Sequence, residues 1–207
     1  MGTELELKYR VTDERQMAEI ADWQMLALLR VGQPYTLEME TTYFDTADKA
    51  FSARHWTVRR RMENGRPIFC VKTPAQDPAH PLLRGEWEVE AERAAEALPQ
   101  LAAAGAPAEL AGFTDEDLIP VCGARFTRSA QRLRLSKTSS CELALDRGTL
   151  FGGSREQPLL ELELELKEGE ERELTAFAQL LAVRFGLERE EKSKFARARS
   201  LVGVPLI

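Results

Sequence analysis

Acidic residues alternate with leucine in two segments near opposite ends of this 207-residue chain. The first is Glu4-Leu5-Glu6-Leu7, and the second is residues 161–166, with the sequence ELELEL. Side chains two apart in a strand share a face and lie about 6 to 7 Å apart, so these carboxylates need an outside cation to offset their repulsion. Carboxylate oxygens are preferred ligands of hard divalent cations such as Mg²⁺ and Mn²⁺. The spacing therefore predicts a divalent metal site beside the acidic faces.

Basic residues show the same two-residue spacing in other segments. Arg59 and Arg61 share one face of a predicted strand, and Lys72 and Arg128 lie on further strands. Arginine often binds phosphate oxygens in pairs, and lysine acts as a point charge. If the charged faces point into one barrel, the segregated acidic and basic sets favour a site for a metal ion and a polyphosphate. The alternative is an open antiparallel sheet with its polar face in water.

Composition excludes several classes of protein. With 34 acidic and 28 basic residues the net charge is −6, and 43% of residues are hydrophobic, as in an ordinary globular domain. Only two histidines and three widely spaced cysteines argue against a disulfide framework, a zinc cluster or a Cys–His catalytic pair; the cysteines are Cys70, Cys122 and Cys141. They favour a reducing cytosol, so we predict a cytoplasmic protein.

The partners expected from composition are also limited. No apolar run approaches the roughly 18 residues that a membrane span needs, and residues 1–10 do not form a signal peptide. A pI near 5.2 argues against binding to nucleic acid. We therefore expect a small-molecule substrate, no nucleic acid and no membrane, and a monomer or homodimer.

Hydrophobic periodicity predicts the elements that carry these charges. A helix is expected to begin at Asp13 and end before Gly32, an Ala-rich helix to span 91–104, and a third helix to span 171–185 and end at Gly186. The proline-rich stretch 73–83 is predicted to be a mobile loop. Strands are predicted at 4–10, 36–44, 56–62, 67–72, 84–90, 124–135, 141–146 and 158–167.

A series of short motifs follows in order along essentially the whole chain. It begins with E-x-E-x-K at residues 4–8 and continues with YFDT (43–46), VRRR (58–61), VK (71–72), RGEWE (84–88), FTR (126–128), ELALDRG (142–148), ELELEL (161–166) and SK (193–194). The set resembles the CYTH domain of the triphosphate tunnel metalloenzyme superfamily. LALDRG and ELELEL are most similar to the bacterial inorganic triphosphatase branch, whose members often carry a C-terminal helical CHAD domain. Because this chain ends at Ile207, we expect that domain to be absent.

The resemblance implies an α+β fold and an enzymatic activity. Its fold would be a closed antiparallel eight-stranded β-barrel with a charged lumen and helices outside, in a single domain over residues 1–207. Its activity would be the metal-dependent hydrolysis of inorganic triphosphate to pyrophosphate and phosphate, with two ions of Mg²⁺ or Mn²⁺ as cofactor. Three alternatives stay open: a thiamine or nucleoside triphosphatase, a class IV adenylate cyclase on the same fold, or a non-catalytic polyphosphate-binding module.

The resemblance also implies a role for each charged position. The metal ligands would be Glu4, Glu6, Glu161, Glu163, Glu165 and Asp146. The phosphate-binding residues would be Lys8, Arg59, Arg61, Lys72, Arg84, Arg128 and Lys194. The catalytic residues would be Glu4, Glu6, Lys8, Glu163 and Lys194, and the tunnel would also be lined by Glu86, Glu88, Glu142 and Arg132.

Some positions depart from the family pattern or have an alternative interpretation. Asp45 occupies a position where a longer carboxylate is common. Arg132 and Arg134 add positive charge on the same strand face as Arg128, where less is expected, and with Glu165 they are equally consistent with solvated residues.

Overall fold

The computed structural model of the protein describes residues 2–74 and 84–203, without the side chains of residues 2–4 and 84. The strands are β1 Gly2–Glu4, β2 Glu6–Arg10, β3 Arg30–Asp45, β4 Thr57–Glu63, β5 Arg66–Thr73, β6 Arg84–Glu90, β7 Ile119–Arg134, β8 Ser140–Gly152, β9 Arg155–Glu168 and β10 Glu188–Arg189. The helices are α1 Glu14–Ala21, α2 Gln24–Leu29, α3 Ala50–Ala53, α4 Ala94–Ala103, α5 Glu171–Phe185 and α6 Lys194–Ser200. None of the helices in these described ranges is long and apolar enough to cross a membrane.

The strands form one antiparallel sheet with the order β1-β6-β5-β4-β3-β7-β8-β9-β2-β10. Only Leu5 separates β1 from β2, so the N-terminal segment pairs near both ends of this order. Side chains from strands near opposite ends of this order approach one another, since Lys72 Nζ on β5 lies 4.0 Å from Glu6 Oε2 on β2. An α+β fold with one antiparallel sheet is therefore confirmed. Among the described residues, hydrogen bonds do not join the terminal strands β1 and β10.

Helices cover the apolar face of the sheet. Leu7 on β2 and Leu164 on β9 are buried in one core with Leu174 and Leu181 of α5. A second core joins β4, β5 and β6 to the Ala-rich helix α4. Because side chains alternate across a strand, burial of these residues turns the charged residues of the same strands to the opposite face.

The C-terminal helix α6 packs on the charged face of the sheet. Its Ala198 lies in a third buried cluster with Leu150 and Leu159, which share strand faces with the acidic residues of β8 and β9. The approach is close enough that a Cβ added at Gly152 would lie 2.5 Å from the Ala198 carbonyl oxygen. This packing brings the first residue of α6, Lys194, towards the charged side chains.

The predicted N-terminal helix is correct at its start and wrong at its end. Asp13 caps α1 by accepting the Gln16 amide at 2.8 Å, as expected. The helix is interrupted before α2, and from residue 30 the chain is already strand β3, paired with β7. A bulge between Val31 and Tyr35 accommodates Gly32, whose φ is +76°. Cross-strand pairing with β7 therefore outweighs the helical hydrophobic spacing here.

Other predicted elements are present, and some of them have different bounds. The β4–β5 hairpin turns at Asn64-Gly65 with φ values of +49° and +84°, the left-handed pair of a type I′ turn. Helix α5 spans residues 171–185 and ends at Gly186, whose φ is +63°. The strands β7, β8 and β9 are longer than predicted. Most of the predicted loop, residues 75–83, lies outside the described residues.

Asp45 has a structural task that accounts for its short side chain. It is 4% exposed and accepts hydrogen bonds from the amides of Thr46 at 2.9 Å and Phe51 at 3.1 Å, and from the Ser52 hydroxyl.

We expect Asp45→Ala to lower the free energy of unfolding by about 1 to 3 kcal/mol, because these buried donors lose their acceptor. Urea denaturation measures the change, with Glu156→Ala at an exposed position of β9 as control; equal effects would contradict this role.

Candidate functional site

Three carboxylates come together where β8 and β9 pair. Asp146 lies directly across from Glu161, and Ala144 from Glu163, so all three carboxylates lie on one face. Their oxygen atoms lie within 4.8 Å of one another. Asp146 and Glu161 are both 0% exposed. We call Asp146, Glu161 and Glu163 the acidic cluster.

Lys194 contacts all three members of the acidic cluster, and Arg128 contacts two of them. The Lys194 Nζ lies 2.8 Å from Asp146 Oδ2 and 2.5 Å from Glu163 Oε1, and it also donates to Glu161. Arg128 makes two 2.8 Å hydrogen bonds to Asp146 and a third to Glu163. Buried charges are tolerated when they are paired and hydrogen-bonded in this way.

Cations of the chain itself balance the ELELEL run. Besides the contacts of Lys194 and Arg128, Glu161 accepts a hydrogen bond from Arg197, and Glu165 lies 2.6 Å from Lys167. Repulsion between the glutamates therefore does not by itself require an outside cation, contrary to the expectation from their spacing. The case for a metal depends on donor type and spacing.

The two glutamates of the acidic cluster differ in proton affinity. Burial raises the pKa of Glu161 to about 7. Burial acts in the same direction on Glu163, but the nearby Lys194 and Arg128 outweigh it and hold the Glu163 pKa well below its usual range. Burial favours a neutral Lys194, yet Asp146 and the two glutamates hold its pKa well above the usual value. Lys194 and Glu163 are therefore charged at neutral pH.

A second group of charges lies on the face of β4, β5 and β6. We call Arg59, Arg61 and Lys72 the basic cluster. Glu86 lies 3.4 Å from Arg59 Nη2 and 3.3 Å from Lys72 Nζ, while Glu88 accepts from Arg61 Nη2 at 3.0 Å. The two glutamates thus orient basic side chains that are only 13 to 17% exposed.

The basic cluster retains unused hydrogen-bond donors. Among the described residues, the buried Nε–H groups of Arg59 and Arg61 have no hydrogen-bond partner. An unsatisfied buried donor is costly, more so on a charged group. A guanidinium with spare donors is suited to phosphate oxygens, which accept several hydrogen bonds at once.

One cavity of about 570 Å³ lies between the two clusters. Twelve of the site residues predicted from the sequence line this cavity: Glu6, Lys8, Arg59, Arg61, Lys72, Glu86, Glu88, Arg128, Glu142, Glu163, Glu165 and Lys194. Lys8 Nζ lies 3.6 Å from Glu6 Oε1. The fully buried Asp146 and Glu161 lie behind this wall.

Besides Asp146 and Glu161, three further predicted positions do not contribute described side chains to the cavity wall. Arg132 is not among its lining residues: it is 41% exposed and reaches Ser140 Oγ at 3.1 Å, because it lies near the far end of β7. Its assignment as a lining residue is therefore wrong. The side chains of Glu4 and Arg84 lie outside the described residues, although their backbones pair with each other between β1 and β6.

Sequence reasoning missed two residues next to the acidic cluster. Arg197 donates to Glu161, and Glu190, only 3% exposed, lies 3.6 Å from Arg197. Both fall in the strongly charged tail. The three-residue spacing of Lys194 and Arg197, which places them on one helix face, was the available signal for Arg197. Of the two lysines in this segment, Lys192 is exposed and Lys194 is buried.

The acidic cluster fits a hard divalent cation. It offers only oxygen donors, and their mutual spacing is compatible with ligation of one ion. Cys70, Glu86 and Glu88 also lie within 4.8 Å of one another, but this second group includes a thiol. Burial raises the pKa of Cys70 to about 12, so the thiolate that would bind a metal is disfavoured. Asp146, Glu161 and Glu163 are therefore the better match for Mg²⁺ or Mn²⁺.

Fold, motif order and charge arrangement agree with one protein family. The family model for the CYTH domain matches residues 2–198, and the chain belongs to this family. An inorganic triphosphatase from Haemophilus influenzae is 26% identical over 182 residues, covering 87% of this chain and 50% of that protein. This chain thus spans about half the length of that relative. The CYTH resemblance inferred from the motifs is confirmed.

Solved structures share the fold at low sequence identity. HpAC1 from Hippeastrum, described as having a dominant triphosphatase activity, has a TM-score of 0.63 and 19% identity, over 100% of this chain and 99% of its own. PH1819 from Pyrococcus horikoshii has a TM-score of 0.55 and 18% identity, over 94% and 97% of the two chains. At these identities, the likeness shows the fold alone.

The cysteines provide a test of burial around the site. Burial raises the pKa of Cys70, Cys122 and Cys141 to about 12 each, so at pH 8 all three remain protonated thiols. We expect Ellman's reagent to react slowly with the folded protein and rapidly with all three thiols in guanidinium chloride. A fast reaction of the folded protein, followed by mass spectrometry to locate the thiol, would contradict the burial of that residue.

Proposed function

We propose that this chain is a metal-dependent hydrolase that converts inorganic triphosphate to pyrophosphate and phosphate in the cavity between the acidic and basic clusters. The observation that carries the proposal is the cavity itself, which places spare arginine donors opposite a group of carboxylates suited to Mg²⁺ or Mn²⁺. CYTH membership and the Haemophilus relative support it.

We further infer that the sheet curves into a closed barrel of eight principal strands around this cavity, with residues 1–207 in one domain. The break at Leu5 supports this, because β1 and β2 are consecutive parts of one segment that pairs near both ends of the sheet. The 4.0 Å approach of Lys72 to Glu6 supports it as well. Helices on the apolar face then leave the charged face to line the lumen.

Substrate binding is assigned mainly to the cations on the cavity wall. Arg59, Arg61 and Lys72 would bind one end of the triphosphate, with Lys8 beside them. Arg128 and Lys194 would face the other end while remaining paired with the acidic cluster. Phosphoryl transfer depends chiefly on positioning and charge neutralisation, which this arrangement supplies.

Asp146, Glu161 and Glu163 would hold Mg²⁺ or Mn²⁺, with Glu6 and Glu165 next to them and two ions in all. A bound ion of this kind neutralises phosphate charge and lowers the pKa of a coordinated water. In the hydrolysis, a water oxygen bonds to phosphorus while the anhydride P–O bond breaks and pyrophosphate leaves. A carboxylate on the cavity wall accepts the proton of that water. The buried thiols are protonated at neutral pH, and no covalent nucleophile is needed.

A second candidate is a tunnel enzyme that acts on an organic triphosphate, such as thiamine triphosphate or a nucleoside triphosphate. The observation that favours it is the apolar part of the cavity wall, formed by Tyr35, Leu37, Met39 and Phe126. Phosphate release from triphosphate, ATP and thiamine triphosphate, with and without Mg²⁺, separates the two candidates. Formation of cyclic AMP from ATP would instead indicate a cyclase, and no turnover of any of these compounds would leave only a polyphosphate-binding module.

Glu163 tests the acidic cluster. We expect Glu163→Gln to lower kcat for triphosphate by about 100-fold or more, because an electrostatic contribution to the transition state is lost while the shape is kept. Steady-state kinetics and circular dichroism measure activity and fold. Glu156→Gln on the exposed part of β9 is the matched control. Wild-type activity in Glu163→Gln would show that this carboxylate takes no part in the reaction.

Arg59 tests the basic cluster. We expect Arg59→Ala to weaken binding of a non-hydrolysable triphosphate analogue by about 10- to 100-fold, the usual value of one charge-assisted hydrogen bond. Calorimetric titration gives the dissociation constant. Arg60→Ala, on the opposite face of β4, should bind the analogue like the wild type. Equal affinity of the two variants would rule out Arg59 as a phosphate ligand.

A further inference from the structure

The segment leading into α6 contains one buried carboxylate among exposed charges. Residues 188–192 read EREEK, and of these only Glu190 is buried, at 3% exposure. Burying a carboxylate is unfavourable unless it is paired and hydrogen-bonded. The Glu190 carboxylate therefore needs specific partners, whereas its exposed neighbours in the segment are solvated by water.

Glu190 connects strand β2 to this segment. Its Oε2 accepts from Arg10 Nε at 2.8 Å and lies 3.6 Å from Arg197 Nη1. Its Oε1 accepts the Lys192 amide at 2.9 Å, and its own amide donates to the Lys8 carbonyl at 2.9 Å. These contacts hold the segment against β2 at the point where the chain leaves β10 and leads into α6.

Arg197 carries the connection from Glu190 to the acidic cluster. Its Nη2 donates to Glu161 Oε2, while Lys194, one turn earlier on α6, donates to Glu161 Oε1. The Arg197 guanidinium lies between Glu161 and Glu190, with which its two terminal nitrogens pair. Its buried Nε has no hydrogen-bond partner among the described residues.

We propose that Glu190 is a positioning residue that acts through Arg197 to hold Glu161 and Lys194 in place for the triphosphate reaction. The inference rests on the proposed function, since it assigns a task within that same site. Without the Glu190 charge, Arg197 is attracted by Glu161 alone. It then competes more strongly with Lys194 for that carboxylate.

A double-mutant cycle tests this connection. We expect Glu190→Gln to lower kcat for triphosphate by about 10-fold, and Arg197→Met by about 100-fold, with KM changed less than about 3-fold in each. The double variant should have about the same kcat as Arg197→Met, because the proposed effect of Glu190 on the acidic cluster passes through Arg197. Losses that multiply to about 1,000-fold, or an unchanged kcat in Glu190→Gln, would overturn the proposal.

Matched variants separate positioning from a general loss of structure. Glu188→Gln, at an exposed position of the same segment, should leave kcat unchanged, and thermal denaturation is measured for every variant. If Arg197→Met does not fold, Arg197→Lys replaces it, since lysine keeps the charge but has a single donor group. The same non-additivity with Glu190→Gln is then expected, and independent effects would contradict the proposal.

The cycle also has a readout that does not require turnover. If the wild type hydrolyses no triphosphate, the proposed function fails, and the four proteins are compared by calorimetric binding of tripolyphosphate instead. Non-additive losses of affinity would support the Glu190–Arg197 connection even then. Additive losses, no loss, or no binding by the wild type would overturn it.

Discussion

Asp146, Glu161 and Glu163 lie close together with little access to water, and the ammonium of Lys194 is the charge that all three contact. Three carboxylates at this spacing repel strongly in a medium of low polarity, so their position depends on cations held in fixed places. Lys194 is the first residue of α6, and α6 reaches the cluster only because it packs on the charged face of the sheet. The site and the C-terminal packing are therefore one arrangement.

The two sides of the cavity carry opposite excess charges. On β8 and β9, carboxylates are in excess and cations from β7 and α6 compensate them. On β4 and β5, guanidinium and ammonium groups are in excess, and Glu86 and Glu88 hold them apart. Each side is held in place by ion pairs. On the basic side, the Nε donors of Arg59 and Arg61 have no partner among the described residues, whereas on the acidic side every carboxylate oxygen of the cluster contacts Lys194, Arg128 or Arg197. A polyanion accompanied by a divalent cation complements both.

Much of this arrangement could be predicted from the sequence because strands have a strict two-residue period. Alternation alone placed Glu163 with Glu161, and Arg61 with Arg59, on common faces. In the structure, the hairpin at Asn64-Gly65 sets Arg59 opposite Cys70. Motif order supplied the family. The alternation of side chains within one strand depends only on the backbone of that strand, so the sequence is enough to predict it.

Features that depend on distant contacts were not predictable in the same way. The buried Glu190 looks like its exposed neighbours until Arg10 and Arg197 are brought to it from far along the chain. Arg132 has the correct strand parity but lies too far along β7 to reach the cavity. The pairing of residues 30–35 with β7 likewise replaced a helical pattern by a strand. Whether a residue number is odd or even along a strand predicts which face of the sheet its side chain occupies. Whether the side chain reaches the cavity also depends on how the strands are aligned in the folded sheet.

The break at Leu5 also has a consequence for the order in which the chain assembles. Residues 2–10 pair with β6 on one side and with β9 on the other, and β9 lies more than 150 residues later in the chain. Contacts so distant in sequence close large loops and form slowly. The pairing of β2 with β9 therefore has to wait until most of the described chain has been synthesised, although β2 itself is made long before β9.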